Sequence, residues 1–295
     1  MIDIHIHSIY SDGDKTIEEI LTMCEEKKLE YISITDHNTC KQYKDDILKK
    51  NNIFTGKIIK GVEMNATFQN KSIEILAYNI KQLEIIEDWN QQFFSEDILK
   101  QRQEKSKNKL LKICDKKGLI YDRSKIEKNI PLTDYFTIYI YNELMRHKEN
   151  YEILGKYTES LNFFIRKGLM NPESEFYTEE DNIPKPMYKD VINIIHKAGG
   201  LAFLAHPFEY RFNNDTIAFI DVLRKEKELD GIECYHPSSV DDNKDKILVE
   251  YARKNNLYIS GGSDYHGKKK PDIEIGTGKG NLHISKEIIE KWVNQ

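Results

Sequence analysis

Histidine and aspartate residues stand two apart near both ends of this chain. His5 and His7 lie in the stretch DIHIHS, and Asp264 and His266 lie in GGSDYHG. Because residues two apart in a β-strand point to the same side, His5 and His7 converge on one point. Two convergent imidazoles at the end of a strand suit Zn²⁺, Mn²⁺ or Fe²⁺. For the second pair a polar turn is the alternative interpretation.

Further carboxylates and imidazoles follow other short apolar runs. They are Asp12 in SDG, His37 in ITDHNT, Glu63 in GVEM and His206 in LAHP. Any one of them could be an ordinary turn or core residue. Together they exceed the three or four ligands that one catalytic Zn²⁺ needs. The set therefore predicts two or three metal ions, with a carboxylate such as Glu63 bridging two of them.

Seven apolar runs are candidate strands that could position these side chains. They cover residues 2–6, 31–35, 57–64, 72–78, 201–205, 230–237 and 257–266. Helical patterns lie between most of them, for example over 16–28, where Thr16 and Glu19 predict a capping box. Alternating strands and helices predict a parallel sheet. Polar residues at the strand ends predict an open or distorted barrel with its site at that rim.

The central part of the chain breaks this alternation. One long helix is predicted over 88–118 and another over 133–147, from the 3.6-residue spacing of apolar positions. We therefore predict a helical insertion at 95–185 within a domain made of 1–94 and 186–295.

Composition limits the possible partners. The chain has 295 residues, 32% of them charged, and a net charge of −5, so it has no overall basic field for duplex nucleic acid. Its four cysteines form no CxxC pair, the start MIDIHIHS lacks the features of a signal peptide, and no apolar run approaches the ~20 residues of a membrane span. We expect a cytoplasmic protein that contacts no membrane.

Six motifs in order resemble one family. HIHSIYSDG, ITDHNT, GVEM, AHP, GIECYHP and GGSDYHG together are similar to the PHP (polymerase and histidinol phosphatase) superfamily. They most resemble its stand-alone phosphoesterases for nucleotides and oligonucleotides, and the resemblance covers the chain except 95–185. It implies an α/β fold, a distorted (β/α)7 barrel with a helical insertion. It also implies a trinuclear site of divalent Mn, Fe or Zn, at which a metal-bound hydroxide hydrolyses phosphate esters.

The resemblance also implies a set of ligands. They are His5, His7 and Asp264 at one metal, Glu63 bridging to a second, His206 at the second, and Asp12, His37 and His266 at the third. Glu74, in EILAY, occupies a ligand position at which the family usually has histidine. Glutamate still binds metal, but it changes the local charge and the metal preference.

Residues beside the ligands have predicted supporting roles. Asp36 and His236 are candidates to orient ligands or to shuttle protons, although His236 could be only a turn residue before Pro237. Relatives often carry an arginine two residues after HP, where this chain has Glu209, and Arg211 is predicted to bind substrate in its place. The lysine run at 268–270 is either a solvated loop or an attraction for an anionic substrate.

The sequence thus predicts a metal-dependent phosphoesterase for nucleotides, short oligonucleotides or other small phosphate esters. The main alternative is a metal-binding PHP scaffold without phosphatase turnover, which would act as a regulatory or partner-binding module. A C–N hydrolase of a related metal-barrel type is a third alternative, and the six motifs disfavour it.

Overall fold

The structure is a computed structural model of the whole chain. It describes residues 1–69, 71–126, 130, 136–169, 171, 173–178, 186–210, 215–226, 229–240 and 243–295. The chain divides into two compact units. One contains Met1–Phe93 and Lys185–Gln295, and the other is Phe94–Pro184.

The first unit contains the strands. They are β1 (Ile2–Ile6), β2 (Tyr31–Ile34), β3 (Lys57–Ile58), β4 (Gly61–Phe68), β5 (Lys71–Tyr78), β6 (Leu201–Leu204), β7 (Gly231–Tyr235) and β8 (Tyr258–Gly261). One sheet has the order β1-β2-β3 and is parallel throughout. The other has the order β4-β5-β6-β7-β8.

The larger sheet is mixed, so the expectation of a purely parallel sheet is wrong. β5 runs antiparallel to both β4 and β6, whereas β6, β7 and β8 are mutually parallel. The reason is the connection after β4, which ends at Phe68 while β5 begins at Lys71. A link that short joins antiparallel strands, because a parallel pair needs a crossover of a dozen or more residues.

Single bridges link the two sheets at the ends of their strands. Ile6 pairs with Tyr265 and His37 pairs with Glu63, both in parallel orientation. Among the described residues these bridges join the sheets, but no closed barrel is found. The α/β class is as expected, with mixed sheets and helices.

Helices cover the sheets of the first unit. They are α1 (Ile17–Glu26), α2 (Asp46–Lys50), α3 (Leu83–Phe94), α9 (Tyr188–Lys197), α10 (Thr216–Glu226), α11 (Pro237–Val240) and α12 (Lys244–Lys254). The apolar faces of α9, α10 and α12 share one buried core with the larger sheet. α1 begins with the predicted capping box of Thr16 and Glu19 and packs on β1 and β2.

The second unit is helical where it is described. It contains α4 (Glu96–Lys116), α5 (Arg123–Ile126), α6 (Phe136–Met145), α7 (Tyr151–Leu154) and α8 (Leu161–Phe163), with a separate apolar core. The single helix expected over 88–118 is wrong, because the chain breaks at Ser95. Ser95 has an extended backbone (φ −60°, ψ 154°) and stands at the N-cap of α4, where serine is favoured.

Two further features concern the whole described chain. The four cysteines are buried and form no disulfide. No helix among the described residues is both long enough and apolar enough to cross a membrane.

Candidate metal centre

β1 and the turn after β8 bring the first ligands together. His5 and His7 are fully buried, and the chain after β8 is fastened to them by two backbone hydrogen bonds. The Asp264 N–H donates to the His5 carbonyl over 2.8 Å, and the His7 N–H donates to the Tyr265 carbonyl over 2.9 Å. These bonds place the Asp264 side chain beside both imidazoles.

The backbone of this turn has little freedom. A Cβ at Gly262 would collide with the backbone nitrogen of His5, so only glycine allows this approach. Asp264 has φ +55° and His206 has φ +23°, a region that residues with a Cβ adopt at a cost. Such strain concentrates at functional sites, where the surrounding structure enforces it.

Four buried side chains form what we call the inner group: His5, His7, Glu63 and Asp264. The Nε2 atoms of His5 and His7 lie 3.1 Å apart, and they lie 3.2 and 3.1 Å from Glu63 Oε2. Asp264 Oδ1 lies 3.4 Å from the first and 3.3 Å from the second. Donor atoms that share a metal at about 2.1 Å stand roughly 3.0–3.4 Å apart in octahedral or tetrahedral geometry.

The outer group consists of His7, Asp12, His37 and His266. Asp12 Oδ1 is its centre, at 3.2 Å from His266 Nε2, 3.6 Å from His7 Nδ1 and 3.7 Å from His37 Nε2. His7 thus presents one ring nitrogen to each group. Asp12 lies in the loop between β1 and α1. Thr16, at the end of this loop, is the N-cap residue of α1.

The third group, which we call the Glu74 group, is His37, Glu63 and Glu74. His37 Nδ1 lies 3.3 Å from Glu63 Oε2 and 3.6 Å from Glu74 Oε1. His206 Nε2 lies 2.9 Å from Glu63 Oε1 and 3.3 Å from Glu74 Oε2. Glu63 therefore presents one oxygen to the inner group and the other to His206, as a bridging carboxylate would.

The ring nitrogens and carboxylate oxygens of the three groups are suitable ligands for divalent transition metals. The Nδ1 atoms of His7 and His37, which face carboxylates of these groups, are buried without a hydrogen-bond partner, an arrangement that costs free energy unless something else satisfies them. Burial and the neighbouring Glu63 raise the pKa of Glu74, because carboxylates that face one point repel each other without a cation. A mixed set of imidazoles and carboxylates suits Mn²⁺, Fe²⁺ and Zn²⁺.

Without a metal the carboxylates hold protons on some of the histidines. Burial opposes a charge on His7, but hydrogen bonds with Asp264 and Glu63 outweigh it and raise its pKa to about 10. For His206, Glu63 likewise outweighs burial and raises the pKa to about 9. The pKa of His266 moves the other way, to about 4, because burial and the charge on His7 both disfavour a second cation.

Glu233 supports the ligands, and the sequence reasoning gave it no role. It is fully buried on β7, and Oε1 lies 2.8 Å from His5 Nδ1 while Oε2 accepts the His206 N–H over 2.7 Å. A carboxylate on the far nitrogen of a metal-binding histidine fixes its tautomer and orientation. The available signal was the alternation in GIECY, in which Ile232 and Cys234 belong to the apolar core and Glu233 points to the opposite face of the strand.

The two predicted catalytic residues have different partners. Asp36 is buried and accepts hydrogen bonds from the Ser8 N–H, the Ser8 hydroxyl and the Ser11 hydroxyl, at 2.8, 2.6 and 2.6 Å. It therefore anchors the loop that carries Asp12. His236 Nε2 lies 3.3 Å from Asp264 Oδ2, at the edge of the inner group.

The structure thus brings together nine of the predicted site residues. They are His5, His7, Asp12, His37, Glu63, Glu74, His206, Asp264 and His266. Arg211, the predicted substrate-binding residue, lies outside the described residues.

Comparison with known proteins identifies the family. The model of the PHP domain matches residues 3–256, so the chain belongs to the PHP domain family, as the motifs predicted. The chain is 25% identical over 299 residues to a 5'-3' exoribonuclease of Haemophilus influenzae, covering 98% of this chain and 97% of that protein. It is 24% identical over 280 residues to a phosphoribosyl 1,2-cyclic phosphate 1,2-diphosphodiesterase of Eggerthella lenta, covering 90% and 94%.

Solved structures share the fold. A protein of Bifidobacterium adolescentis assigned as a metal-dependent phosphoesterase aligns over 98% of this chain and 94% of its own, with a TM-score of 0.69 and 21% identity. An amidohydrolase of Chromobacterium violaceum aligns over 99% and 95%, with a TM-score of 0.71 and 18% identity.

Proposed function

We propose that this protein is a metal-dependent phosphoesterase that hydrolyses nucleotides, short oligonucleotides or other small phosphate esters. The observation that carries the proposal is the inner group, in which two imidazoles and two carboxylates converge with the 3.1–3.4 Å spacing of metal ligands. The relatives named as an exoribonuclease and a cyclic phosphate diphosphodiesterase support hydrolysis at phosphorus.

Two or three divalent ions of Mn, Fe or Zn are the proposed cofactors. The inner group would hold one, Glu63 with His206 and Glu74 a second, and Asp12, His37 and His266 a third. His7 would serve the inner group alone, because a neutral imidazole has one lone pair for a metal. When bound, such ions lower the pKa of water and stabilise negative charge on phosphoryl oxygens. They make a nucleophilic side chain unnecessary.

The protein's own residues orient the ligands and handle protons. Glu233 holds the His5 ring and the backbone before His206, and Asp36 holds the loop of Asp12 through Ser8 and Ser11. The Ser238 N–H donates to His236 Nδ1 over 3.1 Å, which leaves Nε2 as the nitrogen that carries the ring proton toward Asp264 Oδ2. Arg211 is proposed as an anion-binding residue.

The proposal also covers substrate class, architecture and location. The net charge of −5 disfavours a duplex and leaves short single strands or small phosphorylated molecules. We interpret the two bridged sheets as the distorted (β/α)7 barrel, with 1–94 and 186–295 as the metal-binding domain and 95–185 as a helical insertion. The cytoplasm is the proposed location.

The test is hydrolysis by protein that has been stripped of metal and reloaded with Mn²⁺, Fe²⁺ or Zn²⁺. The panel contains nucleoside monophosphates, 5'-phosphorylated oligoribonucleotides and cyclic phosphates of small sugars. A His7→Gln variant purified in parallel controls for contaminating phosphatases. If the wild type holds its metals but cleaves none of these esters, the proposal fails and the scaffold alternative replaces it.

A further inference from the structure

Lys270 is a cation placed at the edge of the inner group, and the ligand set leaves it without a role. Its Nζ contacts Asp264 Oδ2, while its side chain remains 41% exposed and that of Asp264 is only 8% exposed. The side chain therefore extends from solvent to a buried carboxylate at the metal centre. A surface lysine usually stays in water, because burial costs both hydration and rotamer entropy.

The turn after His266 directs the chain back toward the site, so that Lys270 lies beside Asp264. The residues Gly267–Lys269 form a 3₁₀ turn, which the Lys270 N–H closes by donating to the Gly267 carbonyl over 3.0 Å. Gly267 has φ +65°, and a Cβ there would collide with the Asp14 carboxylate. The Lys268 N–H donates to the same carboxylate over 3.2 Å. The position of Lys270 is thus fixed by the chain.

The two oxygens of Asp264 face different partners. Oδ1 lies within 3.3–3.4 Å of His5, His7 and His266 and belongs to the ligand set. Oδ2 faces His236 Nε2 at 3.3 Å and the Lys270 ammonium. Metal binding at Oδ1 and the lysine contact at Oδ2 are therefore compatible. Lysine carries three N–H donors, so contact with one oxygen leaves donors for a second anion.

We propose that Lys270 is a substrate-binding residue that contacts a phosphoryl oxygen of the ester, with His236 beside it. The inference rests on the proposed function and names a residue that sets substrate affinity. The carboxylates of the site repel a phosphate anion, and an ammonium held at their edge offsets that repulsion. The Lys270 ammonium is a compact point charge, and its contact with Asp264 Oδ2 holds it at the edge of the inner group.

The test uses Lys270→Gln in the metal-loaded protein, with inorganic phosphate as the probe. We expect calorimetry to show phosphate binding ~10- to 100-fold weaker, the range for one hydrogen bond to a charged group. KM for a phosphate ester should rise by a similar factor while kcat changes less than about 3-fold. Metal content should stay at the wild-type value, and Lys270→Arg should restore most of the affinity.

Lys268→Ala is the matched control, because that side chain is exposed and only its backbone N–H has a described partner. It should bind phosphate as the wild type does. If Lys270→Gln keeps its metals and binds phosphate normally, Lys270 does not bind substrate. If Lys270→Gln instead loses metal, its role is to support Asp264, and the proposal is equally wrong.

The outcomes separate this inference from the proposed function. Phosphate binding needs no turnover, so a wild type that hydrolyses nothing but binds phosphate through Lys270 defeats the proposed function alone. If the wild type hydrolyses esters and Lys270→Gln has the same KM as the wild type, this inference alone is wrong.

Discussion

The inner and outer groups hold their ligands in different ways. Three of the four inner side chains, those of His5, His7 and Glu63, lie on or directly after strands and are at most 1% exposed, and Asp264, in the turn after β8, is 8% exposed. Asp12 and His37 come from loops and are 18% and 24% exposed. Buried donors on strands are pre-positioned and shielded from water, whereas loop donors must be ordered when a metal binds. The inner group should therefore bind metal more tightly and exchange it more slowly than the outer group.

The largest expected effect is on metal content and hydrolysis when one carboxylate is neutralised, either in the inner group or in the outer group. Asp264→Asn should leave the protein folded, because asparagine tolerates the positive φ and the backbone bond to His5 is unchanged. It removes one of the two carboxylates of the inner group, so metal content should fall and ester hydrolysis should drop at least ~100-fold. Asp12→Asn should lose only the outer metal and cost about 10-fold.

Metal analysis, thermal melting and hydrolysis on both variants make this comparison. Lys269→Ala, in the exposed turn nearby, should change the rate far less than either. A full metal content in Asp264→Asn would contradict the metal role of this aspartate. Equal losses in the two variants would show that the groups fill together, and the contrast drawn from burial would be wrong.

The second expected effect is that metal affinity depends on pH more strongly at the sites of His7 and His206 than at that of His266. In the metal-free protein at pH 7, His7 is protonated because its pKa is raised to about 10, and the same holds for His206 with a pKa of about 9. A metal must displace these protons, so affinity for ions bound by the two histidines rises with pH toward those values. His266, with its pKa lowered to about 4, is already neutral and releases none.

Calorimetry of Mn²⁺ binding at pH 7 in buffers with different ionisation enthalpies counts the protons released. The first equivalent of metal should release more protons than the last. Binding without proton release, or with equal release at every step, would contradict the assignment of His7 and His206 to protonated, carboxylate-held states.

The sequence could predict those parts of the site that depend on local rules. His5 and His7 follow from the two-residue period of a strand, and the positions after strands from the rule that sites gather at strand ends. Thr16 and Glu19 form the expected capping box for the same reason. Each of these features is decided within a few residues of the chain.

Other parts depend on pairing that no local pattern contains. Asn65 lies directly opposite Glu74 because β4 and β5 form an antiparallel hairpin, which the expected parallel sheet did not include. Glu233 and Lys270 acquire their contacts only when β7 and the turn after His266 approach β1 and Asp264. The break at Ser95 was missed because apolar residues continue at helical spacing on both sides of it.

The smallest expected effect concerns Glu74, whose orientation depends on that hairpin. The Asn65 amide donates to Glu74 Oε1 over 2.8 Å, and the Asn65 N–H donates to the side-chain oxygen of Asn38 over 2.8 Å. This pair fixes the carboxylate between His37 and His206. A carboxylate here makes the Glu74 group richer in oxygen, which favours Mn²⁺ relative to Zn²⁺.

Glu74→His should therefore shift the preference toward Zn²⁺, by about 10-fold in a competition between the two ions. Asn65→Ala keeps the carboxylate but frees its orientation, so it should weaken Mn²⁺ binding by only a few-fold, at the low end of the ~10- to 100-fold range for lost support. Asn65→Asp replaces the donor by a second carboxylate that repels Glu74, so it should lower the stability of the metal-free protein more than Asn65→Ala does. The inner group contains neither residue, so its tightly held ion should remain in all three variants. An unchanged Mn²⁺ to Zn²⁺ ratio in Glu74→His would mean that Glu74 is not a ligand, and that the second metal depends on Glu63 and His206 alone.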